Sequence, residues 1–167
     1  MDILIRPWLN KDLKPLVELA NNRKIWDNVR DIFPHPYTEQ DAKEWLALNV
    51  DVTPVFNYVI EVDSQFAGSI GMVPKHDIAR NNMEIGYWLG EPYWGKGIAT
   101  KAVELICTVI WKNYPEVNRI YAETFEFNKA SMRALEKNGF ELECIRKQGI
   151  IKNDVLMDDY VWVKFRS

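Results

Sequence analysis

Cysteine is scarce: only Cys107 and Cys144 occur in 167 residues, too few and too far apart for a disulfide framework or a thiolate metal site. They read as reduced packing residues, and no metal is expected. Neither sign of charge dominates, with 21 basic and 24 acidic residues spread along the chain to give a net -3. That leaves no basic face to neutralise nucleic-acid phosphates, so nucleic acid is excluded as the principal partner. No apolar run approaches the ~20 residues that cross a bilayer, and Met1 to Pro7 carries no basic segment followed by an apolar stretch, so the expected setting is cytoplasmic with no membrane partner. Repeats, linkers and low-complexity segments are absent as well. The two histidines offer little chemistry, since His35 sits between prolines, a surface context, and receives no role.

What is present is enough apolar material for one core. At 47% hydrophobic residues, the length suits a single domain spanning 1–167 better than two marginal ones. Aromatics are abundant, 13% with seven Trp, and serve equally as core volume or as pocket walls. Ile3 and Ile5, up to Trp8, predict a first strand, and Leu13, Leu16, Val17 and Ala20 recur at helical spacing after Asn10. Thr38, with Asp41 three residues on, predicts the start of a second helix carrying Ala42, Trp45 and Leu46. Phe56–Val62 and Phe66–Val73 flank Asp63-Ser64-Gln65 as a hairpin, and a polar loop from Lys75 to Asn82 leads into a fourth strand. There Met83, Ile85, Tyr87 and Leu89 alternate with Glu84, Gly86 and Trp88. Ile98, Ala99, Ala102, Leu105, Ile106, Val109 and Ile110 then define a helix with one broad apolar face. A strand over Arg119–Phe127, a helix over Lys129–Asn138 stopped by Gly139, and strands near Leu142 and Val161 complete the order. This succession predicts an α/β fold with a mixed sheet and helices on its faces.

The segment Tyr93-Trp94-Gly95-Lys96-Gly97-Ile98-Ala99-Thr100 lies between a strand end and the strongest helix. Gly95 and Gly97 allow unusual dihedrals and close backbone approach, and the first helix amides have no internal carbonyl partner, so the turn suits an anion such as a phosphate. Lys96 can add charge at its rim. The same residues also suit a plain connecting turn. Neither the P-loop pattern nor the three-glycine dinucleotide fingerprint is present, which removes support for ATP and NAD.

In four places together, Glu84 to Leu89, Tyr93 to Thr100, Asn128-Lys129-Ala130-Ser131 and Leu135 to Phe140, the chain resembles the GNAT superfamily of N-acetyltransferases. Gly97 and Ala99 fill the small positions of its Gln/Arg-x-x-Gly-x-Gly/Ala signature. Trp94 stands where Gln or Arg is usual, as in the subgroup of ribosomal-protein alanine N-acetyltransferases. The resemblance implies a mainly antiparallel sheet, splayed at its cofactor strands, and acetyl-CoA as cosubstrate. By the same resemblance, backbone amides from Gly95 to Thr100 cradle the pyrophosphate, Trp88 and Leu89 offer backbone groups to the pantetheine, and Asn128 bonds the pantetheine from its other side. A plain helix N-cap is the alternative for Asn128.

Acetyl transfer to an amine needs a neutral nucleophile, polarisation of the thioester carbonyl and a proton for the departing thiolate. Glu84 is the first candidate base, with an ion-pair partner as its competing reading and Glu123 and Glu126 as alternatives. The Leu89 amide is a candidate for polarising the carbonyl. Many relatives place a Tyr where this chain has Leu135, which leaves Ser131, one turn after Asn128, as candidate acid or simple cap. Trp26, Phe33, His35 and Tyr37 lie in a region that covers the acceptor in similar folds. The expected activity is therefore transfer of acetyl to a primary amine, on a peptide amino terminus or a small molecule such as a polyamine or aminoglycoside. A non-catalytic acyl-CoA-binding or sensing domain is the reading from another class. A homodimer is compatible with either.

Overall fold

The computed structural model describes residues 1–166. Seven strands form one sheet: β1 Ile3–Arg6, β2 Asn57–Val62, β3 Gln65–Pro74, β4 Asn82–Leu89, β5 Arg119–Phe125, β6 Glu141–Lys152 and β7 Val155–Phe165, in the order β1-β2-β3-β4-β5-β7-β6. The helices are α1 Leu13–Ala20, α2 Arg23–Trp26, α3 Glu39–Asn49, α4 Ile98–Asn113 and α5 Lys129–Glu136. β4 and β5 run parallel, whereas β1–β2, β2–β3, β5–β7 and β6–β7 are antiparallel, so the expected mixed, mainly antiparallel sheet is found. The chain forms two compact units, one of Met1–Gly71 with Tyr87–Ile98, the other of Met72–Gly86 with the described residues from Ala99 onward.

In the first unit the core is aromatic. Trp8, Leu16, Ala20, Tyr37, Ala42, Leu46, Val59 and Phe66 are buried together, and Trp88, Trp45 and Phe33 pack against them. Trp8 makes only an isolated bridge to Val50, because Pro7 has no N–H to continue the β1 ladder. The expected capping of α3 is present in both directions: the Asp41 amide donates to Thr38 Oγ1 at 3.2 Å, and Asp41 Oδ2 accepts from the Thr38 amide at 2.7 Å. The β2–β3 hairpin turns on Asp63 and Ser64, with φ of 47° and 66°, the left-handed pair of a two-residue turn, so Gln65 already belongs to β3.

In the second unit α4 buries Ala102, Val103, Ile106, Cys107 and Ile110 along one face. Burial pushes the Cys107 thiol up to about 11, which keeps it protonated and inert as expected. Cys144 differs from the packing residue expected: it lies exposed on β6, a strand exposed along most of its length. Gly139 has a φ of 77° and ends α5, as the sequence predicts. The last two strands are far longer than expected, and their hairpin turns on Asn153 and Asp154, also at positive φ. α2 was not expected either. Its four residues are started by Asn22, whose side chain accepts from the Lys24 amide at 2.9 Å.

Candidate active site

The end of β4 is built for close backbone approach. A Cβ on Gly68 of β3 would stand 2.2 Å from the Trp88 carbonyl oxygen and 2.9 Å from Leu89 Cα, so only glycine lets the two strands come this near. The Gly90 amide donates to the Ala67 carbonyl at 2.8 Å. The Trp88 side chain is structural: it lies 5.7 Å from the Phe33 ring and 6.1 Å from the Phe66 ring. Of the alternating set Glu84, Gly86 and Trp88, Trp88 packs against the aromatic core and Glu84 is buried.

Beyond Gly90 a 3-10 turn over Glu91–Tyr93 leads to Trp94, whose indole N–H donates to the Leu89 carbonyl at 2.8 Å. Gly95 and Gly97 follow with φ of 73° and 75°. These are left-handed values that L side chains adopt at a cost of roughly 1–2 kcal/mol. A Cβ at either position would meet no protein atom within 4 Å, so their requirement for glycine comes from backbone angle. Gly97 precedes Ile98 and has no side chain with which to cap the first amides of the 16-residue α4. Lys96 turns back along the loop and donates to the Pro92 carbonyl at 2.8 Å. In the second unit the Asn138 side chain donates to the Thr100 carbonyl at 2.9 Å and the Ala134 carbonyl at 2.8 Å, tying the end of α5 to the first turn of α4.

The pairing of β4 with β5 covers only Asn82–Glu84 against Arg119–Tyr121, although β4 continues to Leu89 and β5 to Phe125. At the last paired position Glu84 faces Tyr121. The Glu84 carboxylate accepts from Lys75 Nζ at 2.6 Å and from the Tyr121 hydroxyl at 3.3 Å. This is the ion-pair arrangement that the sequence left open for Glu84. Of the alternative carboxylates, Glu123 is paired with Arg146 at 2.6 Å, and Arg146 also holds the buried Asp159. The Glu126 amide donates to the Asp158 carbonyl at 3.2 Å.

Asn128 is the N-cap of α5: its Oδ1 accepts from the Ser131 amide at 3.2 Å. The capping reading of this residue is thus realised, and it places Ser131 in the first turn by its backbone. Leu135 is fully buried and offers no proton. Two functional candidates escaped the sequence, Lys75 and Tyr121, because no motif links residues nine and 37 positions from Glu84. The available signal was a basic residue directly after strand β3 and an aromatic hydroxyl on the strand that follows the glycine turn and α4. Among the described residues no cluster of His, Cys, Asp or Glu forms a metal site, and no helix is long and apolar enough to cross a membrane.

The Acetyltransferase (GNAT) domain family matches residues 2–141. The chain is similar to the probable N-acetyltransferase YjcK of Bacillus subtilis, 37% identical over 95 residues, which are 55% of this chain and 52% of that one. It therefore spans about half the length of that relative. The ribosomal-protein-serine acetyltransferase of Escherichia coli is 26% identical over 150 residues, covering 87% of this chain and 83% of its own. Among solved structures, the ribosomal-protein alpha-N-acetyltransferase RimL in complex with coenzyme A matches in fold with a TM-score of 0.84 at 20% identity, covering 98% of this chain and 93% of that chain.

Proposed function

The chain belongs to the GNAT acetyltransferase family, and from that premise we propose that it transfers an acetyl group from acetyl-CoA to a primary amine, with a protein amino terminus as the acceptor. The observation that carries this reading is the turn itself, where Gly95 and Gly97 at positive φ lead into the amino-terminal amides of α4. Such amides favour a pyrophosphate through both direct hydrogen bonds and the helix dipole. In this reading backbone amides from Gly95 to Thr100 hold the anion, and Trp94 fixes the loop by its bond to Leu89. Strands whose pairing stops at Glu84 leave backbone donors and acceptors suited to an extended amide chain, the role proposed for Trp88 and Leu89 and, with its side chain, for Asn128. Glu84 takes the proton of the acceptor amine, the Leu89 amide polarises the thioester carbonyl, and Ser131 supplies a proton to the leaving thiolate. The whole chain acts as one acetyltransferase domain. The acceptor class is supported by the ribosomal-protein-serine acetyltransferase that this chain resembles over most of its length.

Thioester consumption with a panel of amines tests the proposal. Peptides with a free amino-terminal serine or alanine should react fastest, ahead of a polyamine or an aminoglycoside. Tight coenzyme A binding with no turnover of any amine would instead identify a binding module.

A further inference from the structure

Lys75 follows β3, Glu84 lies on β4 and Tyr121 on β5, and the three meet within the second unit. Lys75 Nζ and the Tyr121 hydroxyl donate to the same Glu84 oxygen, Oε2. The Lys75 ammonium also lies 5.6 Å from the centroid of the Tyr121 ring, and the Arg119 guanidinium lies 5.0 Å from that centroid. Arg119 is itself engaged by Asn82 and Glu143, while Glu123, the next carboxylate along this face of β5, is paired with Arg146. Lys75 is thus a cation in direct contact with Glu84, its Nζ 2.6 Å from Oε2. The Glu84 side chain is only 12% exposed, and a carboxylate that far from water stays ionised only beside compensating charge or donors.

We propose that Lys75 is a positioning residue for Glu84: its ammonium, with the Tyr121 hydroxyl on the same oxygen, keeps that carboxylate ionised and aimed for taking the acceptor's proton. This rests on the acetyl-transfer reading above. Both partners remain donors through the neutral range. The hydrogen bond to Glu84 raises the Lys75 ammonium above the usual lysine value against the opposing effect of burial, and burial raises the Tyr121 hydroxyl. Over one turnover the acceptor ammonium loses two protons, one through Glu84 to water and one to the thiolate released when the thioester C–S bond breaks and the amide C–N bond forms. Removing the Lys75 charge leaves the first of these transfers to a carboxylate that burial drives toward its neutral form, so activity should fail first at low pH.

The decisive series is Lys75→Met, Lys75→Arg, Tyr121→Phe and Glu84→Gln. Two readouts are taken: the carbon-13 NMR titration of the Glu84 carboxyl, assigned by its loss in Glu84→Gln, and the pH profile of kcat/KM with acetyl-CoA and a serine-terminated peptide. Lys75→Met should raise the carboxyl midpoint by about one pH unit and carry the acid limb of the profile upward with it. Lys75→Arg should restore both, and Tyr121→Phe should shift them less. An unmoved carboxyl midpoint in Lys75→Met overturns the proposal, as does a midpoint that moves while the acid limb stays. If Glu84→Gln keeps the parental profile, the base lies elsewhere: the proposal falls and acetyl transfer stands. Coenzyme A binding without turnover by the parent overturns the acetyl-transfer reading and, with it, this role for Lys75.

Discussion

The indole N–H of Trp94 donates to the carbonyl of Leu89 at 2.8 Å, joining the end of β4 to the first residue of the glycine turn. Trp94 occupies the position at which the family signature carries Gln or Arg, and the geometry explains how an indole serves there. The residue is 41% exposed, so its main structural contribution is the hydrogen bond that fixes the loop across Gly90–Tyr93.

Trp94→Phe should therefore keep the fold and weaken coenzyme A binding. A net hydrogen bond contributes about 0.5–1.5 kcal/mol, which corresponds to a loss of roughly two- to tenfold in affinity if the bond serves to preorganise the turn. Calorimetric titration of coenzyme A checks this, with circular dichroism as the control. Parental affinity would show that the loop holds its shape without the indole.

Gly97 allows backbone and ligand effects to be separated. Its φ of 75° disfavours L residues, yet a Cβ there meets no protein atom within 4 Å. Asn tolerates left-handed angles better than most residues, whereas Val does not. Gly97→Asn should retain most of the parental melting temperature and still bind coenzyme A weakly, because its side chain occupies the approach to the helix amides. Gly97→Val should lose on both counts. If Gly97→Asn binds as tightly as the parent, the turn does not receive the pyrophosphate at this residue.

Much of this arrangement can be read from the sequence where the controlling interactions are local. The period of α4, the Thr38–Asp41 cap and the Gly139 stop each depend on residues within a few positions of one another, and each was found as expected. α2 escaped because four residues are too few to show a helical period. A strand near Leu142 was expected, but the full length of β6 escaped because it is exposed along most of its residues and interrupted by two register shifts, so no alternation marks its extent. The geometry of the glycine turn was legible because its two positive-φ residues, Gly95 and Gly97, lie in one short run. The Lys75–Glu84–Tyr121 contacts were not, since they arise from strand register rather than spacing. For Asn128, residue type alone fits both a cap and a ligand contact, and only the observed bond to the Ser131 amide shows the cap to be made.

That bond also makes Ser131 a clean test of the proposed acid. The group that Asn128 caps is the Ser131 backbone amide, and Ser131→Ala leaves the amide in place. A change of alanine for serine inside the first turn should then cost little stability, whereas Asn128→Ala removes the cap itself and should cost about 1 kcal/mol. If the Ser131 hydroxyl donates a proton only as the thiolate leaves, Ser131→Ala should lower the single-turnover rate and leave acetyl-CoA affinity nearly unchanged, because the interaction is made mainly in the transition state. General acids typically contribute about 100- to 10,000-fold, and a thiolate with a solution pKa near 8.5 leaves readily, so the loss should lie near 100-fold. Rapid-quench measurement of acetyl transfer, beside thermal melts of both variants, separates the roles. A slow Ser131→Ala enzyme with parental stability supports the acid, and a parental rate would leave the proton to be delivered by solvent.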